Sequence, residues 1–264
     1  EFRALLGKGV AMFQFRHLVL VGLLTAVAAG AVLAAVLRNV SPRESPRDRM
    51  LTPAVHVDHA AFFPAALKTG PEVTRACLRC HPHAAEDMMK TSHWTWAGQK
   101  VTLPGREEVM RVGKRNLINN FCIHAGPNIK TCSSCHAGYG WEDNRFDFTQ
   151  EDHVDCLVCH EQSGTYQKGN AGNPKPDVDL AAVARSVGRP TRVNCGECHF
   201  KGGGGDAVKH GDLDSSLKNP GKYLDVHMAK DGLNFTCGTC HATSSHSVPG
   251  SRYTPTAMDK EKAH

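Results

Sequence analysis

The chain has 264 residues, a formal net charge of +5 and an aromatic content of only 6%. No strong apolar periodicity runs through residues 50–264, so side chains alone could build only a small core and a marginally stable domain. These features argue against an ordinary globular domain folded around its own apolar side chains. The unusual count is that of cysteine, with 11 residues, and it points to another group that completes the core.

The first predicted element is an apolar segment, Leu18–Leu37, which carries no charged residue. At about 20 residues it is long enough to cross a bilayer as one helix. Alternatively, the tripeptide Ala26–Ala28 is a signal-peptidase site, and the segment is the apolar part of an export signal. Its length favours an uncleaved anchor. We therefore expect a signal or transmembrane anchor over residues 1–38 and a polar, proline-containing linker over residues 39–55.

Ten of the cysteines fall into five copies of the pattern Cys-x-x-Cys-His. A single Cys-x-x-Cys could be a disulfide, a redox pair or half of a zinc site. Five copies that all continue with histidine are typical of c-type haem attachment, in which two thiols bond the haem and the histidine binds its iron. The motifs are Cys77, Cys80 and His81; Cys132, Cys135 and His136; Cys156, Cys159 and His160; Cys195, Cys198 and His199; Cys237, Cys240 and His241.

Five covalently attached haem c groups would supply the apolar core that the side chains lack. Their propionates would also offset the positive charge, so we expect no nucleic-acid partner. The predicted fold is mainly α with long loops and almost no sheet, a multihaem cytochrome c domain over residues 56–264. Helices are expected over Glu72–Met89 and Val178–Val187, and loops over residues 169–176, 202–205 and 219–221.

The spacing of the motifs is irregular, which excludes a repeat of fixed length. The second and third motifs are the closest in sequence. We therefore expect the haems of these two motifs to lie close together.

An electron-transfer haem is commonly closed on its distal side by a second histidine. Apolar residues that could pack on a porphyrin flank four of the other histidines: His59, His93, His227 and His246. These four are predicted as distal iron ligands. His153 and His210 remain alternatives, whereas His83 follows its own motif too closely to cross the ring.

Several segments, including those between the motifs, resemble the octahaem tetrathionate reductase family of c-type cytochromes. The resemblance covers residues 56–256. The segments that carry it are PEVTRACLRCH, TSHWTW, GKRNLINNFC with CSSCHAGYGW, DCLVCH followed by GTY, and GGGGDAVKHGDLDSSL.

The resemblance implies that the haem of the second motif, with His136 as proximal ligand, is the active one and that a lysine is its distal ligand. The matching lysine is Lys209, accompanied by Asp206 and by the unpaired Cys122. A lysine must lose its proton before it binds iron, which is costly because the reference pKa is about 10.4. The alternative is a solvated lysine in a flexible glycine loop.

The family also implies a function, the reduction of tetrathionate, nitrite or hydroxylamine outside the cytoplasm. Electrons would come from a redox partner protein or a quinol-linked donor. One alternative is a membrane-tethered conduit that carries electrons between the quinol pool and a partner reductase; another is a subunit of extracellular haem filaments. The family has eight haem motifs and this chain has five, so it is either a fragment that lacks three haems or a five-haem form.

Overall fold

The computed structural model describes residues 20, 22–31, 57–63, 66–98, 100–102, 104–111, 113–115, 128–200, 205–208 and 212–250. Several of the predictions fall wholly or partly outside these residues. They concern Cys122, Lys209, His210, the linker over residues 39–55, and parts of the apolar segment Leu18–Leu37 and of the loop over residues 202–205.

The chain divides into two units, Glu1–Ala54 and Val55–His264. In the first unit, residues 22–31 are helical and exposed. Of the residues that the structure describes, no helix is both long and apolar enough to span a bilayer. The anchor over Leu18–Leu37 stays a prediction.

Short helices joined by long loops form the second unit, and their bounds follow in chain order. They are α1 (Gly70–Leu78), α2 (Ala84–Met89), α3 (Ser92–Thr95), α4 (Ile129–Cys132), α5 (Leu157–His160), α6 (Leu180–Arg185), α7 (Arg192–His199) and α8 (Cys237–Cys240). Single 3-10 turns lie at Ala60–Phe62, Ser133–Cys135, Glu151–His153, Asn170–Gly172 and Ser215–Lys218. Two strands, β1 (Lys100–Thr102) and β2 (Val109–Arg111), pair antiparallel with Val101 opposite Met110.

Capping fixes where α1 begins. The side chain of Thr69 accepts a hydrogen bond from the Glu72 N–H, and the Glu72 carboxylate accepts one from the Thr69 N–H in return, which satisfies donors that a helix start leaves unpaired. The prediction of one helix over Glu72–Met89 is wrong, because the first motif separates α1 from α2. Pro82 explains the break, since the residue before a proline disfavours helical backbone.

Two small apolar clusters form the described core, and both lie against haem motifs. The first joins Val73 of α1 to Leu157 and Val158 of α5 and to Leu180 and Val183 of α6. The second joins α2 and α3 to the segment after the second motif, through Ala85, Met88, Trp94, Ala137 and Val154. The described residues thus confirm the predicted fold class, a mainly helical chain with almost no sheet.

Candidate haem-binding sites

Each motif lies within or at the end of a short helix or turn. The backbone N–H of the motif histidine donates to the carbonyl of the first cysteine at His81 (3.0 Å), His160 (3.1 Å) and His241 (2.9 Å). A helical turn of this kind brings residues three and four apart onto one face. Two thiols and one imidazole can therefore bind the same haem. The second motif differs: the His136 N–H donates to Ser133 at 2.8 Å, within a tighter turn.

Three of the predicted distal histidines face a motif histidine at a nearly constant distance. The ring centroids are 6.4 Å apart for His59 and His81, 6.2 Å for His93 and His199, and 6.3 Å for His160 and His246. A metal–imidazole bond of about 2.0 Å places a ring centroid about 3.1 Å from the metal, so two rings on opposite sides of one iron lie about 6.2 Å apart. All three pairs have the spacing that an iron between them requires.

Backbone carbonyls hold one nitrogen of several of these rings. The Nδ1 atoms of His59, His160 and His241 lie 2.8, 2.8 and 2.9 Å from the carbonyl oxygens of Val57, Gly188 and Pro249. Metal-bound histidines typically donate the other ring N–H to such a partner, which fixes the ring orientation. In each of the three rings Nε2 is then the nitrogen placed for iron.

The protonation state of His93 also suits iron binding. Burial lowers the pKa of this ring, because water no longer solvates the charged form. At neutral pH the ring is uncharged, the form that coordinates a metal.

His136 of the second motif has different surroundings. Its ring is fully buried among Trp94, Trp96, Trp141, Phe146 and Phe148, with centroid distances of 4.7 to 6.2 Å. Its Nε2 lies 2.6 Å from the Trp94 carbonyl oxygen, and its buried Nδ1 has no partner.

Burial is the main reason that the pKa of His136 falls to about 3. To bind iron through Nε2, this ring must give up its contact with Trp94. The second site therefore fits a haem less closely than the three sites with paired rings.

Thiols of different motifs meet in pairs, which shows which motifs are neighbours. None of the ten motif cysteines forms a disulfide. The neighbouring pairs are Cys77 with Cys156, Cys135 with Cys198, and Cys195 with Cys237, and the Cys198 thiol donates to the Cys135 carbonyl at 3.7 Å. The contact with Cys198 lowers the pKa of Cys135 to about 6. The first motif thus adjoins the third, and the fourth adjoins both the second and the fifth.

The structure does not bring the fourth predicted distal ligand to a motif histidine. The side chain of His227 is 64% exposed, and its ring stacks on Phe235 at a centroid distance of 6.2 Å. Of the alternatives, His153 lies 6.1 Å from Phe146 and has a buried Nδ1 without a partner. A distal ligand role for His227 stays a prediction.

Asp206 lies in an exposed turn, and both of its carboxylate oxygens are engaged. They accept hydrogen bonds from the backbone N–H (2.9 Å) and the hydroxyl (2.7 Å) of Ser215. The same loop returns to the fourth motif, where the Leu213 N–H donates to the His199 carbonyl at 2.8 Å. In the described residues Asp206 is thus a loop-bracing residue, and its predicted catalytic role remains untested.

Two charged residues that contact the second and third motifs in the structure are not indicated as functional by the sequence alone. Lys168 and Asp155 form a buried ion pair at 2.8 Å. The usable signal was the position of Asp155 immediately before Cys156, within a segment already singled out by its resemblance.

Haem-attachment motifs on short helices, with paired histidines at the spacing of an iron, define a multihaem c-type cytochrome. Neither the protein-family models nor the curated protein sequences yield a match. Among solved structures, an octahaem cytochrome c from Shewanella oneidensis is 47% identical, with a TM-score of 0.69. The match covers 78% of this chain and 46% of that one, so the chain spans about half the length of its relative. The chain belongs to the family predicted from its sequence, the octahaem tetrathionate reductase family of multihaem cytochromes c.

Proposed function

We propose that this chain carries five covalent haems and is a reductase of tetrathionate, nitrite or hydroxylamine outside the cytoplasm. When bound, the haems take up single electrons and pass them to one another, and the protein supplies orientation, potential and access. The observation that carries the proposal is the set of three histidine pairs at 6.2 to 6.4 Å. The same proposal includes a redox partner or a quinol-linked protein that donates electrons to the haems.

The contacts between motifs support a route for the electrons. The first motif meets the third through Cys77 and Cys156. Cys159 of the third motif lies near both cysteines of the fourth, and Cys198 of the fourth meets Cys135 of the second. The route that we propose runs from the first motif through the third and fourth to the second, with the fifth as a branch.

The proposed axial ligands follow from the ring pairs. His81 with His59, His199 with His93, and His160 with His246 would each hold one iron from both sides. Closed, paired sites of this kind suit electron transfer, because they leave no position for a substrate. Substrate chemistry therefore needs a site with a different ligand set.

Two of the described sites, the second and the fifth motif, lack such a pair of rings. Of these two, the second also has a fully buried motif histidine whose Nε2 lies against the Trp94 carbonyl oxygen, which supports a distinct role for it. The described residues that flank Lys209 in sequence lie near the fourth motif. The Ala207 N–H donates to the Leu213 carbonyl at 3.4 Å, and Leu213 is bonded to His199 of the fourth motif, which adjoins the second. We propose that Lys209 is the distal ligand at the haem of His136, with Asp206 and Cys122 beside the substrate.

The second candidate function is an electron conduit without a substrate site. The exposed helical residues 22–31 and the unbroken apolar sequence of Leu18–Leu37 favour it, because a tethered multihaem domain is the arrangement of quinol-linked cytochromes. A haem of the second motif that is closed by two histidines would also favour the conduit.

Exchange of the candidate ligand distinguishes the two functions. In the haem-loaded protein Lys209→Ala should add a high-spin component to the oxidised spectrum and leave the other haems low-spin. Reduction of tetrathionate, nitrite or hydroxylamine should change by on the order of tenfold or more. His210→Ala, the adjacent control, should leave the spectrum intact. A high-spin haem in His210→Ala with a silent Lys209→Ala would refute the lysine ligand and favour the conduit.

A further inference from the structure

A buried ion pair lies between the second and third motifs. The side chains of Lys168 and Asp155 are 6% and 0% exposed, and the Lys168 Nζ lies 2.8 Å from the carboxylate. The carboxylate also accepts the hydroxyls of Tyr139 and Tyr166, each at 2.8 Å, and the Val158 N–H at 3.0 Å. Burial is the main reason that the pKa values of both tyrosines lie well above their ordinary value, so both remain donors.

Each partner of the pair is anchored to a different motif. The Lys168 ammonium donates to the backbone carbonyl of His136 and, at 3.2 Å, to that of Gly138. Asp155 directly precedes Cys156, and its carboxylate holds the Val158 N–H inside the third motif. The Asp155 N–H donates in addition to the Ala137 carbonyl at 3.0 Å. The pair therefore ties the backbone of the second motif to that of the third.

Gain in stability is a poor explanation for this arrangement. Removing two charges from water costs free energy, and replacing a buried ion pair by apolar residues is often neutral or stabilising. Lysine is among the residues that are least often buried. A role in orientation explains why the two charges lie between two cofactor motifs.

We propose that Lys168 and Asp155 are positioning residues that hold the second and third motifs against each other and set the relative redox potentials of the haems bound there. The inference rests on the proposed function only in requiring haems at these motifs. In a low-dielectric interior, an unneutralised charge strongly affects the free energy of nearby charges. A lone carboxylate stabilises the more positive oxidised haem, whereas a lone ammonium stabilises the reduced one.

Redox titration of the haem-loaded protein, followed by absorption and by electron paramagnetic resonance, tests the proposal. Lys168→Met should shift the potentials of the haems at the second and third motifs downward, and Asp155→Asn should shift them upward. The double variant should lie closer to wild type than either single variant. The matched control is Lys175→Met, which removes an exposed lysine bonded to Gln167 at 2.7 Å and should leave every potential unchanged.

Shifts of the same sign in both single variants, or no shift in either, would overturn the proposal, because a purely structural lesion has no reason to change sign with the charge removed. If the single variants do not load haem, Tyr166→Phe replaces them. It preserves the ion pair and removes one donor from Asp155, so a smaller downward shift is expected and no shift would also refute the proposal. Opposite shifts in a protein without reductase activity would preserve this inference and remove the proposed function.

Discussion

The turn that carries His246 allows a ligand role to be separated from a structural one. Ser244 and Ser247 pair through hydrogen bonds of 3.3 and 2.8 Å, and the two residues between them, Ser245 and His246, have φ values of 45° and 61°. Left-handed backbone at both central positions is the type I′ turn, which favours Asn and Gly. For other residues this backbone costs about 1–2 kcal/mol each.

The strained backbone carries the His246 ring, which has an incomplete set of hydrogen-bond partners. The buried Nδ1 of His246 has no hydrogen-bond partner, and the ring centroid lies 6.3 Å from that of His160. Strain of this kind persists where the surrounding structure or a function requires it. We therefore infer that histidine is present at position 246 because of its imidazole ring and not because it suits the turn.

Glycine substitution at the two central positions gives a matched pair of variants. His246→Gly relieves the strain and removes the ring, whereas Ser245→Gly relieves a similar strain and keeps the ring. After the larger entropy loss of glycine on folding is subtracted, Ser245→Gly should stabilise the protein by about 1 kcal/mol. His246→Gly should open one side of the iron at His160, which makes one haem in five high-spin.

The assay is the oxidised spectrum of the haem-loaded protein, with high-spin iron integrated by electron paramagnetic resonance, together with thermal unfolding. Ser245→Gly should remain wholly low-spin and unfold at a higher temperature. His246→Gly should gain one high-spin haem, and added imidazole should reverse the change. A wholly low-spin His246→Gly protein, or the same high-spin signal in both variants, would refute the reasoning.

Two other predictions follow from the same geometry and from the N-terminal sequence. In the same spectra, His93→Ala should make the haem at His199 high-spin. Trp94→Phe, the adjacent control, should leave that haem low-spin. A low-spin His93→Ala protein would contradict the pairing of His93 with His199. If Leu18–Leu37 is an uncleaved anchor, membranes washed with salt and carbonate should retain the protein. N-terminal sequencing that places the mature N-terminus just after Ala28 would contradict the anchor.

The sequence predicts well whatever is encoded within a few residues. The attachment motifs need only two cysteines and a histidine on one helical turn, so the class of protein was readable without the fold. The second and third motifs are also neighbours in the structure, where the Asp155 N–H donates to the Ala137 carbonyl; the closeness of their haems stays a prediction.

The sequence does not predict pairings between distant segments. His93 meets His199, and His160 meets His246, because tertiary packing brings remote turns together. His246 is adjacent in sequence to the fifth motif but faces the third, which no local pattern indicates. The sequence does not predict the burial of Lys168 either, because an isolated lysine is normally exposed.

The intact mass of the protein, matured in a periplasm that attaches haem, tests the central claim most directly. The mass should exceed that of the processed polypeptide by five haems, with no free thiol at any of the five motifs. A stable product with four haems or fewer, and with unmodified cysteines at one motif, would contradict the account.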